Sequence, residues 1–188
     1  MKNNLSLINF VLSNYKINTY LKNILLILFG TFVLAASSKV QVPFWPVPMT
    51  MQTFIVFIIG MSYGSTLAFL TLLVYLLEGA FGLPVFAKGG GLIYLTGPTA
   101  GYLYGMMIAA WIIGTFSDLG YNKSYLKSLK SLLIGTFFIF LLGVGYLGSI
   151  IGIEKAISAG FYPFILSEIF KILLAVALIP NITKYLNK

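Results

Sequence analysis

The stretch FGLPVFAKGGGLIYLTGPTAGYLYG, from Phe81 to Gly105, is a glycine-rich polar break between two strongly apolar segments. Three consecutive glycines, Gly89, Gly90 and Gly91, follow Lys88, and a Gly-Pro step comes at Gly97 and Pro98. In hydrocarbon an unsatisfied amide or carbonyl costs several kcal/mol. Irregular backbone between such segments therefore belongs at the membrane surface, buried in protein, or lining a cavity. A cavity implies a ligand.

The flanking segments place the chain in a membrane. With 59% hydrophobic residues, 9% charged residues and a mean hydropathy of +0.97, its 188 residues cannot cover a water-soluble globule. The length suits one compact bundle of several helices, and no polar run is long enough for a second, soluble domain, so residues 1–188 read as a single transmembrane domain. All twelve basic residues are lysines, against four acids, Glu78, Asp118, Glu154 and Glu168. The net charge of +8 could suggest nucleic acid, but the lysines flank apolar segments, the pattern of topology signals and lipid headgroup contacts. Without arginine, histidine or cysteine, the chain has no arginine clamp, histidine base, disulfide or thiolate chemistry.

Residues 1–19 mix Lys, Asn and Ser with apolar residues, a composition suited to a short interfacial amphipathic helix. The first apolar segment runs from about Tyr20 to Ala36; its LAASS end imitates a signal-peptide cleavage site, but the long polar leader and the spans that follow favour retention as a helix. Pro43, Pro46 and Pro48 then make KVQVPFWPVPMTMQ an extended loop. Its Phe44 and Trp45 suit either a membrane interface or a lid over a pocket. Further segments are expected at Thr50–Tyr63, Thr66–Phe81, Thr99–Phe116, Ser131–Ile153 and Phe164–Tyr185, the first two as a tight hairpin. This makes an all-α bundle of six transmembrane helices with both termini on one side. The terminal segments and the 116–130 loop carry eight lysines; the opposite loops carry Lys39, Lys88 and Lys155. The positive-inside rule puts both termini in the cytoplasm. The proline, glycine and aromatic residues then gather in the outer loops. No internal repeat is evident.

Gly97, Gly101, Gly105 and Ala109 form a ridge of small side chains where another helix can approach, by intramolecular packing or in an oligomer. Gly148 with Gly152, and Gly60 with Gly64, repeat the spacing. Glu168 and Lys171 lie three apart on an apolar helix, one turn in from its outer end, and so share a face. Charges within a membrane segment generally face a cavity or a partner. The pair can neutralise itself; it can also bind a ligand, Glu168 accepting from a ureide or amide N–H and Lys171 donating to a carbonyl or carboxylate. Phe164 and Ala175 continue that face. Gln52, at the outer start of its helix, can cap backbone or touch ligand. Lys88 can attract an anion or snorkel to headgroups. Glu78 reads as structural. Tyr94, Tyr102 and Tyr104 fit an interfacial belt, and Phe86 and Tyr94 are the rings expected nearest a bound heterocycle. No catalytic constellation, metal set or ATP-binding phosphate loop is present in the sequence, so the chain does not read as an enzyme.

Three motifs, VPFWPVPMTMQT (42–53), GLPVFAKGGG (82–91) and GPTAGYLYG (97–105), resemble the BioY family in order and spacing, within similarity over roughly residues 25–182. That family comprises the biotin-specific S components of energy-coupling factor (ECF) transporters. The resemblance implies a multi-pass plasma-membrane protein of six helices that captures biotin from outside, under the loops after helices 1, 3 and 5. It then delivers the vitamin by toppling, driven by a coupling T protein and two ABC-type ATPases. ATP is used only by those partners, no cofactor or nucleic acid is called for, and membrane lipid is the remaining partner. The family's acid and lysine near the start of helix 6 match Glu168 and Lys171; here the acid is Glu where Asp is usual, preceded by Ser167 where Gly is usual. Candidates for the family's small-residue docking pattern on helix 1 are Gly30, Thr31, Ala35 and Ala36. The expected ligand-binding set is Glu168, Lys171, Phe86, Lys88, Tyr94, Gln52 and Trp45. An S component for a different vitamin, or an assembly subunit without ligand, is the alternative.

Overall fold

The computed structural model describes residues 18–186, so the expected interfacial segment at 1–19 lies almost wholly outside the described residues. Helix α1, Thr19–Lys39, starts where the Asn18 side chain accepts from the Tyr20 N–H at 2.9 Å. It runs three residues past the expected end. The Ser37 and Ser38 hydroxyls donate back to the carbonyls of Leu34 (2.8 Å) and Ala35 (2.7 Å), which lets a polar Ser-Ser pair stay helical. Gly30, Thr31, Leu34, Ser37 and Ser38 face the protein, while Ile24, Leu28 and Phe32 are exposed as a lipid-facing stripe.

Where an extended loop was expected, strands β1 (Gln41–Val42) and β2 (Met49–Thr50) pair antiparallel, Gln41 opposite Thr50. The three prolines fall in the connection, where no ladder N–H is needed. Helices α2 (Gln52–Tyr63) and α3 (Ser65–Ala80) form the expected hairpin around Gly64. Gly64 has φ of +80°, and a Cβ there would collide with the Asp118 carboxylate. That carboxylate caps α3: its Oδ2 accepts from the Ser65 N–H at 2.9 Å and the Ser65 hydroxyl at 2.7 Å.

The 81–99 segment is irregular apart from a 3-10 turn at Leu92–Leu95. Helix α4, Ala100–Asp118, then lies along α5, Tyr125–Ile151. The glycine ridge serves this seam: a Cβ on Gly105 would come within 2.8 Å of Ile139 Cα, and one on Gly101 would overlap the Leu142 carbonyl. Helix α5 begins six residues before the expected Ser131, because lysines and leucines of the presumed loop are good helix formers. Gly152, with φ of +88°, separates α5 from an unforeseen short helix, α6 (Ile153–Gly160), which buries Ala156 and Gly160 and exposes Glu154 and Ser158. Helix α7, Tyr162–Leu186, contains Pro180; beside it, the Asn181 amide accepts from the Tyr125 hydroxyl at 2.6 Å and donates to the Ala177 carbonyl at 2.8 Å.

Among the described residues there are seven α-helices, four of them (α1, α4, α5, α7) long and apolar enough to cross a membrane. The core runs through their centre, with Leu34, Phe57, Leu72, Ala109, Ile113, Leu132 and Ile139 all buried.

Candidate functional site

The cavity lies where the start of α2, the 85–87 turn, α4, α5 and the N-terminal part of α7 converge. It comprises about 530 Å³ of space between atoms, its open mouth included. Its floor is ionic. Glu168 and Lys171 are only 4% and 5% exposed, and Lys171 Nζ stands 2.7 Å from Glu168 Oε1. Thr53, the second residue of α2, donates to the same oxygen at 2.8 Å. Lys171 also donates to the Thr53 hydroxyl (3.0 Å) and the Thr50 carbonyl (2.7 Å). Those contacts use all three ammonium donors. Glu168 Oε2, by contrast, is buried with no hydrogen-bond partner in the protein. The floor is therefore a fully engaged cation holding a carboxylate with one oxygen unoccupied, an acceptor for a ligand N–H.

The walls are apolar and aromatic. Phe86, fully buried, stacks on Tyr94 at 4.9 Å and meets Tyr75 edge-on at 5.4 Å. Its ring fills the space that a side chain on Gly79 would need. Opposite, Tyr102 stacks on Phe164 at 6.3 Å and, through its hydroxyl, donates to the Gly160 carbonyl at 2.7 Å. Val47, Pro48, Met106 and Phe140 are also among the lining residues. Gln52 lines the cavity as well; its Nε2 donates to the Tyr75 hydroxyl at 2.7 Å, which donates to the Val85 carbonyl at 2.8 Å. That leaves one amide hydrogen of Gln52 over.

Five of the seven expected site residues, Glu168, Lys171, Phe86, Tyr94 and Gln52, thus line one cavity. Lys88 is exposed and lines a neighbouring recess with Pro46, Ile93, Gly97 and Pro98; the recess shares Pro48, Tyr94 and Thr99 with the main cavity. Trp45 is 80% exposed and outside the lining; from the proline knuckle, Val47 and Pro48 reach the cavity instead. Tyr102, assigned to an interfacial belt, is a buried wall residue. Glu78 accepts from the Thr31 hydroxyl at 3.0 Å and ties α3 to α1. Thr50, Thr53 and Phe140 went unrecognised; the one available signal was Thr53 beside Gln52 at the polar start of an otherwise apolar helix. Of the helix 1 docking candidates, Gly30 and Thr31 turn inward and only Ala36 is fully on the exposed face.

A helical membrane protein with an aromatic-walled cavity and a buried ionic floor is built to bind a small ligand that carries both apolar and polar groups. A family model described as the BioY family matches residues 3–188, and the chain belongs to that family. The probable biotin transporter BioY of Pyrococcus horikoshii is 38% identical over 157 residues, covering 82% of this chain and 92% of that one. The biotin transporter BioY of Thermotoga maritima is 38% identical over 148 residues, 77% of this chain and 86% of that one. The probable biotin transporter BioY of Rickettsia prowazekii is 35% identical over 158 residues, 84% and 81%. A crystal structure of the S-component for biotin from an ECF-type ABC transporter superposes with a TM-score of 0.77 over 89% of this chain and 93% of that chain, at 24% identity, and so shares the fold.

Proposed function

We propose that this chain is the biotin-binding membrane subunit of a vitamin uptake transporter, taking biotin from the outer face of the plasma membrane. Delivery inward would depend on a coupling T protein and two ABC-type ATPases. The observation that carries the reading is the unpartnered Oε2 of Glu168 on the floor of an aromatic cavity. Biotin has a ureido ring that offers N–H donors, an apolar thiophane and a tail ending in a carboxylate. In the pose we favour, a ureido N–H donates to Oε2, and the free Gln52 amide hydrogen answers the ureido oxygen. Phe86, Tyr94, Tyr102 and Phe164 enclose the thiophane. Lys171 holds Glu168 in position, and reaches the ligand only by giving up one of its three present bonds. The tail leads past Tyr94 into the outer recess, where Lys88 supplies the cation for its carboxylate.

Six spans with cytoplasmic termini fit the same picture. At about 1.5 Å per residue, α2 and α3 measure only about 18 and 24 Å, short of the roughly 30 Å hydrocarbon core. The start of α2 and the end of α3 lie together, and the irregular 40–51 and 81–99 segments would make up the missing thickness there. Such backbone is tolerated at membrane depth where it lines a cavity. Calorimetric titration of the purified protein tests the function: biotin is expected to bind at micromolar concentration or below, and Lys88→Met is expected to weaken biotin more than its methyl ester. Absence of heat with biotin, and binding of another vitamin instead, would refute the assignment.

A further inference from the structure

Lys39 reads in the sequence as one of three scattered outer lysines, and Gln41 carries no signal at all. In the folded chain both reach the turn that bears Phe86. Lys39 Nζ donates to the Phe86 carbonyl at 2.6 Å, and Gln41 Nε2 donates to the Ala87 carbonyl at 3.2 Å. One residue earlier, the Val85 carbonyl accepts from the Tyr75 hydroxyl at 2.8 Å and shares the single Ser38 hydroxyl proton, 2.8 Å away, with the Ala35 carbonyl. Three successive carbonyls are thus each gripped by side chains from the end of α1, from β1 or from α3.

The turn needs that grip. Gly82, Gly89 and Gly91 have φ of +93°, +137° and +100° with open space where a Cβ would stand, so the turn runs through residues that have no side chain to pack it in place. The segment's own backbone contributes a Phe86–Gly89 bridge (2.9 and 3.3 Å) and the Gly91 N–H to the Gly79 carbonyl at 2.7 Å. Yet the Phe86 ring must sit in one place, wedged over Gly79 and stacked on Tyr94, to make the cavity wall. Neither Lys39 nor Gln41 lines that cavity.

We propose that Lys39 is a positioning residue for the ligand cavity: with Gln41, it fixes the 85–87 backbone so that Phe86 and Tyr94 stay together as one wall. The proposal rests on the biotin reading above. The ammonium-to-carbonyl bond is charge-assisted and so among the stronger hydrogen bonds, while the exposure of Lys39 lets water compete for it. A partial loss of affinity therefore follows, not abolition.

The test compares Lys39→Met, Lys39→Arg, Gln41→Ala and Lys155→Met with the wild type in detergent. Readouts are biotin affinity by calorimetry, thermal midpoint, and hydrogen exchange of the 82–91 amides. Lys39→Met is expected to raise the biotin Kd about tenfold and to speed exchange across 82–91, with the thermal midpoint little changed. Lys39→Arg should recover part of the affinity, and Gln41→Ala should shift both readouts the same way by less. Lys155→Met, which removes a charge from α6, should do neither. Unchanged affinity and exchange in Lys39→Met overturns the proposal. Equal weakening by Lys39→Met and Lys155→Met also overturns it, since charge alone would then suffice. Should Lys39→Met fail to fold, Gln41→Ala decides on the same two readouts. If the wild type binds no biotin, the functional assignment fails, and the exchange of the 82–91 amides still decides whether Lys39 holds the turn.

Discussion

Lys171 divides its protons among the Thr50 carbonyl, the Thr53 hydroxyl and Glu168, so the ion pair is an anchor between α2 and α7 as much as a recognition element. Removing the cation alone strands a buried carboxylate. Lys171→Met is expected to destabilise the protein by about 3–5 kcal/mol, read as a fall in thermal midpoint. The double variant Glu168→Gln with Lys171→Met leaves no buried charge and should regain a large part of that stability, but it should not regain biotin binding in calorimetry. Wild-type affinity in the double variant would remove Glu168 from the site. Glu168 and Lys171 were legible in the sequence because charge is conspicuous in an apolar helix. Their partner Thr53 was not, since it is 115 residues from Glu168 and nothing local marks a threonine that will meet it. Trp45 and Val47 show the same limit inside one loop: the proline knuckle predicted extended backbone, but which side chains turned inward depended on the strand pairing around it.

Helix packing was readable wherever spacing dictated it. Gly101, Gly105 and Ala109 announced a close seam, and the structure fills it with α5. Because the atoms facing Gly105 belong to the backbone around Ile139, relief by side-chain rotation is unavailable there. Gly105→Leu is expected to cost about 3 kcal/mol or more, at the upper end of overpacking penalties, and to lower the thermal midpoint sharply. Gly145→Leu on α5, where nothing lies within 4 Å, should leave the midpoint near that of the wild type. Equal effects at the two positions would mean that α4 and α5 do not meet along this seam. Elements too short to show a period escaped the sequence: two-residue strands, and the eight residues of α6 between two longer apolar helices. The early start of α5 escaped for a different reason. Lys127 and Lys130 looked like loop residues because they are charged, yet a helix of 27 residues extends about 40 Å, longer than the roughly 30 Å a hydrocarbon core requires, and so has room for a lysine-rich end.

At the scale of the whole molecule, the recognition elements gather at one end: the β-hairpin, the 81–99 segment and α6 all adjoin the cavity, while the Asp118 cap and the lysine-bearing start of α5 lie at the other. A protein so divided should present its two ends to different compartments, with lysines 123, 127 and 130 inside and Lys88 and Lys155 outside. The absence of cysteine makes this directly measurable, because any introduced thiol is unique. Lys155→Cys is expected to react with a membrane-impermeant maleimide on intact cells. Lys127→Cys should react only after the membrane is opened. The same side for both residues would break the alternation on which six spans depend, since a single crossing, α5, separates them. Labelling of Lys127→Cys and protection of Lys155→Cys on intact cells would instead invert the orientation and place the cavity mouth inside, which is incompatible with uptake from the outer face.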